Sequence, residues 1–140
     1  MTKKKETSTN SNDKLKTYYN IGFPEESKID KDWTIRLEAY RTLGFTEEAL
    51  KDSHYLIRHE AYMRFGLRKE AIDDDYWLIR LEAYKKFGFT EESKQDDNHY
   101  IRMMAYSHLE FTKDALKDKN QTIREEAANW MSVVNKLSEV

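Results

Sequence analysis

The sequence predicts an all-α fold, an α-solenoid of 22-residue two-helix repeats about 5.5 copies long. Three observations predict it. The pair Ile-Arg recurs at Ile35-Arg36, Ile57-Arg58, Ile79-Arg80, Ile101-Arg102 and Ile123-Arg124, a constant step of twenty-two positions without insertions. All four glycines, Gly22, Gly44, Gly66 and Gly88, fall in one column of that register. Between them lie apolar residues at helical spacing. Residues 1–13 (MTKKKETSTNSND) read as a disordered tail, and 14–140 as a single helical-repeat domain with units starting near 13, 35, 57, 79, 101 and 123.

In one unit, Trp33, Ile35, Leu37, Ala39, Tyr40 and Leu43 form a broad helical stripe, not the strict alternation of a strand. The glycine that follows is expected in the left-handed conformation that closes a helix. Even spacing, rather than clustering, excludes a phosphate-cradling loop. A second, shorter helix is expected from about Glu47 to Lys51, with Thr46, Thr90 and Thr112 at its N-cap and Pro24 in the same column. Paired acids such as Glu47-Glu48 and Glu91-Glu92 then complement the helix dipole and need no catalytic explanation.

Helices of about ten residues are marginal alone in water, so the units must be stabilised by stacking. The isoleucine column and the alanine column (Ala39, Ala61, Ala83, Ala105, Ala127) supply a shared buried face. Leu43, Phe65, Phe87 and Leu109 are expected to extend it, and Phe23, Phe45, Leu67, Phe89 and Phe111 to plug each turn into the core. The first copy, LKTYYNIGFPEESKID, lacks Ile-Arg and is expected to keep only part of its long helix. The last has Ala128 for tyrosine and Ser132 for glycine, which predicts one longer helix to about residue 137.

Composition fits thin elements with one wet face: 39% apolar and 36% charged. Aromatics at 13% argue against overall disorder. A net charge of −2 creates no field favouring nucleic acid. The absence of cysteine excludes disulfides and thiolate chemistry. With no apolar run long enough to span a membrane, a cytoplasmic protein is expected.

An Asp, the pair Ile-Arg and an Ala three residues on resemble the HEAT-type and leucine-rich-variant families of helical solenoids. That resemblance implies an internal ladder between Arg36, Arg58, Arg80, Arg102, Arg124 and Asp30, Asp52, Asp74, Asp96, Asp118. Spacing supports it, since each Asp lies six residues before an Arg. The alternative use of the arginines is to track a phosphate backbone.

The tyrosine column (Tyr18, Tyr40, Tyr62, Tyr84, Tyr106) shares a helix face with Trp33, Tyr55 and Trp77, which fits inter-repeat packing with outward hydroxyls better than a base-stacking platform. His54, His59, His99 and His108 have no metal-site spacing, and no catalytic motif occurs. No enzyme activity and no cofactor are expected. On the outward face of the longer helices, Leu56, Met63, Leu78, Tyr100, Met104, His108 and Trp130 occupy positions the pattern assigns to solvent. They predict a non-enzymatic scaffold for a protein or peptide, with nucleic-acid binding in the groove as the alternative. A monomer, or a weak homodimer through the C-terminal helix, is expected.

Overall fold

The computed structural model describes residues 10–140. Among them every regular element is helical: seven α-helices and four 3₁₀ helices, with no strand. The long helices are α1 (Ser11–Ile21), α2 (Trp33–Leu43), α3 (Tyr55–Phe65), α5 (Trp77–Phe87), α6 (His99–Leu109) and α7 (Gln121–Ser138), and each starts one repeat period after the one before. Short elements alternate with them: 3₁₀ helices Glu25–Ile29, Glu47–Lys51, Glu91–Gln95 and Lys113–Lys117, and α4 (Arg68–Ile72). The residues group into two compact units, Met1–Leu67 and Arg68–Val140. In both, a long helix packs chiefly on the short helix before it.

Two expectations about the N-terminal end need correction. Residues 1–9 of the expected tail lie outside the described residues, but Ser11–Asp13 are helical. Asn10 accepts the Asn12 N–H and starts α1 there. The first copy therefore has a full 11-residue helix rather than part of one. At the other end α7 reaches Ser138, since nothing in its glycine column interrupts it.

Every long helix except α5 is started by a side chain. Asp32 accepts the Thr34 N–H, His54 Nδ1 the Leu56 N–H, Asn98 the Tyr100 and Ile101 N–H groups, and Asn120 the Ile123 N–H. The short helices start differently. Thr46, Thr90 and Thr112 cap with their backbone carbonyls, which accept from Ala49, Ser93 and Ala115. A 3₁₀ turn closes on the residue three positions on, so the hydroxyl is not needed as a cap acceptor. Thr90 Oγ1 is instead buried without a partner among the described residues.

Ile35, Ile57, Ile79, Ile101 and Ile123 are fully buried with the alanine column. Leu43 and Phe65, expected to continue that stripe, are 37% and 43% exposed. Eight residues past the isoleucine, a helix has turned roughly 80° away from the buried face, and the chain ends there. The column one turn earlier wins the core place: Tyr40, Tyr62, Tyr84 and Tyr106 are all buried.

All four glycines have positive φ, but only Gly66 is in the left-handed helical region. There the Leu67 N–H reaches back to the Tyr62 carbonyl and α4 follows at once. Gly22, Gly44 and Gly88 have φ near 100° and ψ near 145° (99/150, 106/142 and 102/143), an extended mirror conformation that suits glycine almost alone. This conformation leads straight into the extended residue that precedes a 3₁₀ helix. Glu110 occupies the same column and adopts the same backbone, φ 90° and ψ 142°.

A side chain at these glycines would meet nothing within 4 Å, so any penalty there is purely conformational. Glu110→Gly is expected to stabilise the chain by about 1 kcal/mol and Gly44→Ala to destabilise it by about 1–3 kcal/mol. Urea midpoints of the two variants against the parent would measure both.

Candidate functional site

The arginine column is occupied internally. Arg36 Nε and Nη2 fork the Asp52 carboxylate at 2.8 Å each, while its Nη1 donates to the carbonyls of Asp30 and Lys31. Arg80 forks Asp96 at 2.8 and 2.9 Å and holds the carbonyls of Asp74 and Asp75. Arg102 does the same with Asp118 and the carbonyls of Asp96 and Asp97. Arg58 and Arg124 hold the Asp52 and Asp118 carbonyls, at 2.9 and 2.7 Å. In the first copy Lys14 stands in the arginine column and binds Asp30 at 2.9 Å.

Geometry refines the expected pairing. The Asp six residues upstream contributes only its carbonyl, and the carboxylate comes from the Asp sixteen positions downstream. Each of these aspartates also accepts the backbone N–H two residues on, as Asp52 does from His54 and Asp96 from Asn98, both at 2.8 Å. One arginine thus ties the loop before its helix to the loop after the next short helix. Burial pushes the carboxyls of Asp52 and Asp96 up, but the arginine and amide hydrogen bonds outweigh it and leave both below the usual range. For Asp118 the Arg102 bonds are the largest influence, in the same direction.

The tyrosine rings stack on the aromatic residue after the helix end: Tyr40 on Phe45, Tyr84 on Phe89 and Tyr106 on Phe111, with centroids 5.4, 5.8 and 5.5 Å apart. Two residues assigned to partner binding complete these stacks. His108 lies on Phe89 at 4.5 Å and Trp130 against Phe111 at 6.4 Å, as Arg64 does on Phe45. His108 is exposed and Trp130 half-buried at these positions. Tyr40, Tyr84 and Tyr106 each line a cleft beside the short helices.

The outward face differs between the units. In the first, Tyr19 donates to Glu38 at 2.5 Å, Arg41 bridges Glu38 and Glu60, and Arg64 also binds Glu60. Sequence reasoning missed this network. Its signal was legible, for Glu38 and Glu60 are one register apart, with Arg41 three residues after the first and Arg64 four after the second. Leu56 is exposed at the start of α3 and Met63 is half-buried. In the second unit Lys85 binds Glu82, and the next copy has Met104 where the glutamate column would continue. Met104 and Leu78 are half-buried, and Tyr100, edge-on to Trp77 at 6.1 Å, is 49% exposed.

His54 stacks flat on Trp33, with centroids 3.8 Å apart. No group of three or more His, Asp or Glu side chains among the described residues is placed to hold a metal. No helix among them is long and apolar enough to cross a membrane. Compared with protein-family models, curated proteins and solved structures, the chain shows no significant match.

Removing one partner of a buried fork strands the other charge. Asp96→Asn is expected to lower stability by about 3 kcal/mol in urea unfolding at neutral pH. The sign with pH follows from the depressed carboxyls of Asp52, Asp96 and Asp118. Their stabilisation is complete above the ordinary aspartate value near pH ~4 and is lost as pH falls through the lower folded values. Urea midpoints followed from pH ~6 down to ~2 should fall for the parent and fall less for Asp96→Asn.

Proposed function

We propose that this chain is a HEAT-like solenoid of 22-residue helical repeats that serves as a non-enzymatic scaffold for a protein or peptide. Support for the repeat reading is the regular start of the long helices and the recurrence of the same arginine fork in three copies. The observation that carries the binding reading is the outer face of α5 and α6. There Tyr100 is half exposed beside Trp77, and Met104 stands where earlier copies have a glutamate. With Leu78 it breaks an otherwise charged surface, and amphipathic aromatic and methionine side chains are enriched in protein contacts.

Nucleic-acid binding in a groove is the weaker reading. A phosphate-tracking arginine must be free to pair with the backbone, and the forks of Arg36, Arg80 and Arg102 are already spent on aspartates.

A photo-crosslinking side chain at Tyr100 should capture a partner in the native cell. Leu78→Glu and Met104→Glu should each abolish capture while leaving the thermal midpoint within a few degrees of the parent. Undiminished capture by both folded variants would overturn the proposal. A gel shift with single- or double-stranded DNA that weakens steeply with salt would favour the second reading instead.

A further inference from the structure

The buried tyrosines of the long helices floor a series of clefts, and two of those clefts already contain an ammonium group. Lys28 Nζ lies 5.6 Å from the centre of the Tyr40 ring, and Lys94 Nζ lies 5.3 Å from that of Tyr106. Lys94 is 4% exposed, so its stem is packed into the cleft while its head reaches Glu91 at the rim. Both lysines occupy the same column of the repeat, twelve positions before the tyrosine. Before Tyr84 that position is Ile72, as it is Leu50 before Tyr62.

The cleft at Tyr84 has a volume of about 500 Å³ and lies wholly within the second unit. It shares the tyrosine floor of its siblings but has no lysine over the ring. Its charge is also different. Six carboxylates line it, of Asp73, Asp74, Asp75, Glu92, Asp96 and Asp97, against the single guanidinium of Arg80. Arg80 is committed to Asp96, and Asp74 is engaged elsewhere. The cleft at Tyr106, by contrast, balances four basic side chains with three acidic ones.

Tyr84 itself is 3% exposed, and its hydroxyl makes no hydrogen bond among the described residues. The ring thus forms the packed floor of an acidic cleft. Burial raises the affinity of this phenol for its proton, and the charges of Glu92 and Asp96 raise it further against the opposing fields of Arg68 and Arg80. It stays neutral, and its ring keeps the electron-rich face that attracts a cation.

We infer that the Tyr84 cleft binds an alkylammonium group supplied from outside the chain, either a lysine side chain of a peptide or a free polyamine. The incoming ammonium takes the place over Tyr84 that Lys94 takes over Tyr106, and its alkyl stem lies along Ile72. Asp73, Glu92 and Asp97 complete its charge. None of the residues lining this cleft belongs to the Leu78, Tyr100 and Met104 face, so the inference stands independently of the scaffold reading.

The test is an amide-resonance titration of the full chain with three probes: a short peptide carrying one lysine, the same peptide with that lysine acetylated, and spermidine. Concentrations up to about 5 mM at low salt suit an affinity of this class. Resonances of Asp73, Tyr84 and Glu92 should move with the lysine peptide, with spermidine or with both, which identifies the source, and should not move with the acetylated peptide. Ile72→Lys, which installs the sibling's lysine, should weaken binding about tenfold. Because Ile72 is buried, the exposed pair Glu92→Gln and Asp97→Asn provides a second check, with affinity reduced about threefold or more and an unchanged thermal midpoint. The inference is overturned if neither cationic probe moves these resonances, if the acetylated peptide binds equally well, or if the folded variants bind like the parent.

Discussion

The guanidinium fork between a long helix and the aspartate sixteen positions later is the contact on which each unit of this molecule depends. An α-helix of three turns has little stability alone, and a 3₁₀ helix of five residues has less. The loops between them carry backbone groups that a helix cannot satisfy. One arginine answers both needs, since Arg80 joins Asp96 in one loop to the carbonyls of Asp74 and Asp75 in another. The aspartate in turn fixes the next helix start by accepting the backbone N–H two residues on. Arginine suits this role because its planar fork can serve a carboxylate and carbonyls at once. In Arg102 and Asp118 both side chains are nearly buried, and the mutual satisfaction of their polar atoms is what makes that burial tolerable.

Around this polar staple the apolar columns divide the work by size. Fully buried isoleucine and alanine allow long and short helices to approach closely. The tyrosine-phenylalanine stacks then seal the turn where the chain reverses, and a residue of the following copy covers the stack, whether Arg64, His108 or Trp130. A cation, an imidazole and an indole all serve there because each presents a flat face to a ring. The framework is therefore tolerant in its outer columns. That tolerance allows Met104 to stand in a column of glutamates, and lets the column of Lys28 and Lys94 hold Leu50, Ile72 and Leu116 as well; both candidate contact sites arise from such variation.

The helical class, the repeat period, the buried isoleucine and alanine columns and the long final helix were all readable from residue type and spacing. They follow from local periodicity and from the presence or absence of glycine, which act within a few residues of chain. The arginine and aspartate columns were readable as a set. Their pairing was not, because a carboxylate six positions upstream and another sixteen downstream are equally plausible partners until the loops are placed.

What tertiary structure alone decided is the fate of each side chain at the ends of the helices. Leu43 and Phe65 look like core and are exposed, while His108 stacks on Phe89 and Trp130 lies tilted against Phe111. Whether such a residue is buried depends on the ring that reaches it from another copy, and no periodicity within one helix contains that information. The same holds for the glycine column, whose sign of φ was evident from composition while its ψ depended on the short element that follows. By itself the sequence determined which residues repeat. Three-dimensional packing determined which of them are satisfied, and hence that the cleft over Tyr84 is left with acid on its walls and no cation of its own over the ring.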